Sequence, residues 1–150
     1  MLMFALGCEE AANGDDDDGG ASNGDVEPYL GSWYLTGTAS TTCSDGTRDA
    51  QTLTGTVEFE RGRGSDLLRT VTGGSCAEFP LDVNASNATL STDVVCPVDG
   101  ARRSTVTAWQ VTLGTDESSA TETGSAKTVF APPETGTCTT IYATTLVKSD

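Results

Sequence analysis

The chain alternates. From Gln51 to Glu60, Leu53, Gly55, Val57 and Phe59 fall on one face, and Thr52, Thr54, Thr56 and Glu58 fall on the other. A period of two packs one face and wets the other, as in a half-buried antiparallel strand. The same period recurs in Leu30 to Thr38, Asp66 to Thr72, Ala77 to Val83, Ala88 to Val95, Arg102 to Leu113, Ala120 to Phe130 and Cys138 to Lys148. No apolar stripe of helical period competes with it. Turn residues separate the segments: Ser44-Asp45-Gly46, Arg61-Gly62-Arg63-Gly64, Gly73-Gly74, Asn84 to Asn87, Asp99-Gly100, Gly114 to Ser119 and Pro132-Pro133. Eight strands with short connections predict an all-β antiparallel up-and-down meander, and closing it into a barrel removes both edges. The expected inward set is Trp33, Leu35, Leu53, Val57, Phe59, Phe79, Leu81, Trp109, Val111 and Ile141, which is short of bulk for a solid interior. The candidate lining of a ligand cavity is therefore Trp33, Leu35, Val57, Phe59, Phe79, Trp109 and Ile141.

Cysteine positions support this order. Setting Cys8 aside leaves Cys43, Cys76, Cys96 and Cys138, an even count that in an exported domain reads as two disulfides. Three pairings exist, and strand geometry selects one. Cys76 and Cys96 are equidistant from residue 86, inside the Asn84 to Asn87 turn, so they face each other across strands four and five. The register that sets Cys43 against Cys138 also sets Trp33 against Lys148, as expected if the first and last strands lie side by side. The cysteines contain no C-x-x-C spacing, so no zinc site or other metal site is expected.

Composition narrows the function classes. A length of 150 residues suits one domain. With 22 acidic and 8 basic residues the net charge is −14, which gives no grip on phosphate backbones, so nucleic acid is excluded as a partner. The absence of histidine removes Ser-His-Asp and Cys-His catalysis and imidazole metal sites. Much of the acidity is local. Glu9 to Glu27 holds 8 of the 22 acidic residues, including Asp15 to Asp18, and no basic residue. Such a run buries nothing and repels itself, so residues 8–27 are expected to form a disordered acidic Gly/Asp tether. Its r.m.s. span would be roughly 25 Å. Neither Gly19 nor Gly20 can serve as the sixth position of an EF-hand loop, so the aspartates read as a spacer. The remaining 14 acidic and 8 basic residues leave the barrel region with a net charge of −6.

Two short motifs resemble known families. Met1 to Gly7 ends an apolar run on small residues, as in the close of a truncated secretory signal peptide. Ala5-Leu6-Gly7-Cys8 is similar to the lipobox of bacterial lipoproteins, in which the cysteine is diacylated and becomes the mature N-terminus. That resemblance implies a lipidated Cys8, anchoring to a membrane, and a place in the bacterial cell envelope at the outer membrane or cell surface. Gly31-Ser32-Trp33 resembles the G-x-W signature of lipocalins and of prokaryotic lipocalin-like domains, which are eight-stranded up-and-down barrels. That family sets a late arginine against the tryptophan; the cation of the last strand here is Lys148. The implied organisation is a signal-peptide end at 1–7, a lipidated linker at 8–27 and a lipocalin-like barrel at 28–150.

Candidate chemistry is thin. Glu58 and Glu60 share a strand face, but they alternate with Val57 and Phe59 and therefore face water. Ser75 has no histidine base, and Arg61-Gly62-Arg63 and Arg102-Arg103 read as turn-flanking surface charge. The expected function is that of a monomeric envelope lipoprotein with a non-catalytic binding or structural barrel, meeting an envelope protein. The alternative is a carrier of a small apolar ligand inside the barrel, and an enzyme working through paired carboxylates ranks last. No cofactor is expected.

Overall fold

In a computed structural model, which describes residues 24–73, 76, 78–97 and 100–150, the chain forms an all-β closed antiparallel barrel. Its strands are β1 (Gly31–Cys43), β2 (Arg48–Arg61), β3 (Leu67–Val71), β4 (Glu78–Asn84), β5 (Asn87–Leu90), β6 (Val94–Val95), β7 (Arg102–Leu113), β8 (Ser119–Phe130) and β9 (Gly136–Lys148). Sequence neighbours pair except β5 and β6, which both lie along β7; with β1 paired to β9, eight staves close the ring. The fifth stave is broken. The segment Ala88 to Val95, expected as one strand, leaves the ladder at Ser91 and resumes as β6, which rests on β7 through Val94↔Val106 and Val95↔Thr105.

The staves are unequal. β1, β2, β7, β8 and β9 run 12 to 14 residues, whereas β3, β4 and β5 run 5, 7 and 4. At about 3.3 Å per residue the first group makes the taller wall, its shortest strand about 17 Å longer than β4. Both disulfides sit toward the open rim. Cys43–Cys138 joins β1 to β9 in the predicted register, which also sets Trp33 against Lys148. Cys76–Cys96 forms as predicted, but not between strands: the β4–β5 ladder pairs Asn84 with Asn87, half a residue from the expected centre, and both cysteines lie beyond its end. This bridge ties together the loops that extend the short side of the barrel.

The opposite end is solid. Trp33, Tyr29, Phe59, Leu67, Leu81 and Leu146 are buried there, and Trp33 meets Phe59 edge-on at 6.2 Å. Trp33 Nε1 donates to the Tyr29 carbonyl at 2.7 Å. Lys148 covers the Trp33 ring: its Nζ lies 5.3 Å from the ring centroid and donates to the Pro28 carbonyl at 3.0 Å. Val26 also packs into this plug, so the packed region reaches two residues before position 28.

Two variants test this frame. Cys43→Ser/Cys138→Ser opens a span of 95 residues and should cost about 4–5 kcal/mol in urea unfolding; Cys76→Ser/Cys96→Ser opens 20 and should cost about 3 kcal/mol. The Tyr29 hydroxyl is buried without a hydrogen-bond partner among the described residues, and burial pushes its pKa from 10.0 to about 12. Tyr29 therefore contributes fully below pH 10, and that contribution is lost as pH rises through about 12, because the unfolded chain ionises first. Tyr29→Phe should gain about 1 kcal/mol at neutral pH and show a shallower loss of stability between pH 10 and 12.

Candidate functional site

The upper half of the barrel is hollow. A cavity of about 630 Å³ runs from the middle of the barrel to the rim that carries Cys43 and Cys138. Its walls follow from strand parity. Odd residues of β1 and β2 point inward, which brings Leu35, Leu53, Gly55 and Val57 to the cavity. On β7 parity changes at a bulge between Val106 and Ala108. Before it Arg102, Ser104 and Val106 face in; after it Trp109 and Val111 do. One extra residue thus points both halves of a 12-residue strand at the same lumen.

An ion pair forms the floor. Leu67, Arg69 and Val71 share the inward face of β3, and Arg69 is 2% exposed. Across the lumen Glu122 of β8 is 1% exposed. Arg69 Nε donates to Glu122 Oε1 at 2.5 Å and Nη2 to Oε2 at 2.8 Å, a bidentate pair. Trp109 Nε1 gives Oε1 a second hydrogen bond at 3.2 Å, and Thr144 Oγ1 gives Oε2 one at 2.9 Å. The carboxylate is thus fully engaged. The guanidinium carbon stands 4.6 Å from the Trp109 ring centroid and 5.2 Å from that of Phe79. Trp109 itself is seated by Gly124, its β8 partner: a Cβ there would come within 2.1 Å of the ring.

Above the floor the lining mixes apolar and hydroxyl groups. Tyr142 leans on Trp109 with centroids 5.2 Å apart, and burial raises its phenol pKa. Thr41 and Thr140 hydrogen-bond each other at 2.8 Å, as do Ser104 and Thr128. At the rim Arg102 lies over Phe130, 5.6 Å from its ring centroid, so it belongs to the mouth and is not simply turn-flanking charge.

Of the expected cavity residues, Leu35, Val57, Phe79 and Trp109 line this space. Trp33 and Phe59 do not, because they fill the closed end. Ile141 does not either. It is 52% exposed on the outer face of β9, where Cys138, Thr144 and Leu146 face inward instead. Glu58 and Glu60 sit on the outer wall, Glu58 accepting a hydrogen bond from Ser32 Oγ. Sequence reasoning missed Arg69 and Glu122. The signal for Arg69 was its place between Leu67 and Val71 in an apolar alternation. Cys8 lies outside the described residues. Among the described residues no cluster of three or more metal-ligating side chains occurs.

No family model matches the sequence, and no curated protein matches it. Among solved structures the chain is similar to a protein of unknown function of the DUF3598 family from Nostoc punctiforme, with 12% identity and a TM-score of 0.35, covering 80% of this chain and 48% of that one. The chain thus spans about half the length of that structure.

The buried pair makes a sharp prediction. Arg69→Met strands a buried carboxylate and should cost about 3–5 kcal/mol. Arg69→Met/Glu122→Gln should recover most of that loss, since the Gln carbonyl can still accept from Trp109 Nε1 and its NH2 can donate to Thr144 Oγ1. Urea unfolding of the single and double variants checks it.

Proposed function

We propose that the chain is an exported, lipid-anchored binding protein that carries a small, mainly apolar ligand in the open half of its barrel. The observation that carries this reading is the cavity of about 630 Å³, walled by Leu35, Leu53, Val57 and Trp109 and open at the disulfide rim. Ligand pockets span about 300–1,000 Å³ and combine apolar walls with a few placed polar groups. An interior packed solid to the rim would instead have favoured a purely structural role. Two features support export and anchoring: the lipobox-like Ala5-Leu6-Gly7-Cys8, and two disulfides, which persist in oxidising compartments. Two acyl chains at Cys8, followed by an acidic tether, would hold the barrel near a membrane with its mouth free to exchange ligand.

Gly55 offers a clean test. It lines the cavity, and a Cβ there meets nothing within 4 Å. Gly55→Phe should put a ring into the cavity from a position where its Cβ is uncrowded, reducing the space left for a ligand. Native mass spectrometry of the Cys8→Ser chain, exported behind a complete signal peptide and purified without detergent, should show an adduct of a few hundred daltons that Cys8→Ser/Gly55→Phe lacks. Bare protein in both cases, unchanged after incubation with apolar small molecules, would overturn the carrier reading. Anchoring has its own test: Cys8→Ser should move the protein from the membrane to the soluble fraction of a bacterial host.

A further inference from the structure

Arg69 is a half-used donor. A guanidinium carries five N–H groups. Glu122 takes one from Nε and one from Nη2, and the remaining three, both on Nη1 and one on Nη2, have no acceptor among the described residues. Nη1 is not sealed away, because the Tyr29 hydroxyl is the one enclosed side-chain polar atom without a partner among the described residues. Arg69 lines the cavity, so these donors open onto it from the floor. Their direction is fixed: the bidentate pair holds one edge of the guanidinium, and the rings of Phe79 and Trp109 flank it.

We infer that Arg69 is the polar anchor of the ligand site and receives a neutral acceptor oxygen, a ketone, ester or amide carbonyl, on the inner end of an otherwise apolar molecule. This rests on the carrier reading and names the ligand class for that site. Charge selects the neutral group. Glu122 already cancels Arg69, and the rest of the lining carries one charge of each sign, Asp49 and Arg102. An ionised carboxylate on the floor would add an uncompensated negative charge in a water-poor space, inside a chain already at −14. A neutral carbonyl adds none and satisfies donors that otherwise have only water. Apolar walls at Leu35, Val57 and Val106 would take the body of the molecule.

A matched series tests this on the full chain by equilibrium dialysis: naphthalene, methyl naphthyl ketone and naphthoate, which share one apolar body. The expected order is ketone tightest, by about tenfold over naphthalene, a hydrogen bond to a charged donor being the difference. Naphthoate should bind no better than naphthalene at neutral pH and gain as the pH falls to its protonated form. In Arg69→Met/Glu122→Gln the affinity ratio of ketone to naphthalene should fall from about tenfold to about one. Equal binding of ketone and naphthalene by the natural chain, a comparison needing no variant, would overturn the anchor and leave the carrier reading standing. Naphthoate binding tightest at neutral pH would overturn the neutral-acceptor assignment. Failure of all three to bind up to their solubility would overturn the carrier reading itself.

Discussion

Arg69 and Glu122 meet across the lumen, and that contact divides the molecule. Taking two charges out of water is costly unless geometry and extra hydrogen bonds offset the cost. Here a bidentate pair, a tryptophan N–H, a threonine hydroxyl and two aromatic faces supply them. The pair ties β3 on the short side of the barrel to β8 on the tall side. Below it Trp33, Phe59, Leu67, Leu81 and Leu146 fill the interior. Above it the tall staves continue toward the rim with small or hydroxyl-bearing inward residues, among them Gly55, Ser104, Ala126, Thr128 and Thr140, and the interior stays open. Filled base, polar floor and hollow top follow from which strands are long and which inward positions are bulky.

Closure depends on register. In β1 the odd residues face inward, and Cys43 shares that parity with Trp33 and Leu35. Bridging Cys43 to Cys138 therefore fixes the even residues of β9 as inward, down to Lys148 over Trp33. One covalent link at the rim and one cation over a ring at the base hold the same ladder at its two ends. A slip of one residue would turn every β9 side chain to the other face.

The strands were legible because alternation and turn residues agree along most of the chain. Cysteine spacing then gave both pairings and the order of the closing strands. Ile141 was misplaced because it is the bulkiest aliphatic residue of its segment; the parity imposed by Cys138 puts Tyr142 on the inner side and Ile141 outside. The bulge in β7 was invisible, since a one-residue insertion leaves alternation intact on either side of Val106 and Ala108. Glu122 was hidden for a different reason. From Ser119 to Thr128 both faces of β8 are made of small and polar residues, so pattern alone cannot say which is buried. Arg69 was readable from its apolar neighbours, but an arginine on a core face needs a partner, and that partner lies 53 residues away.

The central claim is a hollow upper barrel with a donor-bearing floor. It is tested most directly by a crystal structure of the full chain carrying Cys8→Ser, exported and purified without detergent or extraction. The account predicts density in the upper cavity, bounded by Leu53, Val57 and Tyr142, with an acceptor atom within hydrogen-bond distance of Arg69 Nη1. An upper half packed by the chain's own side chains, with the free N–H groups of Arg69 spent on a protein acceptor, would contradict it.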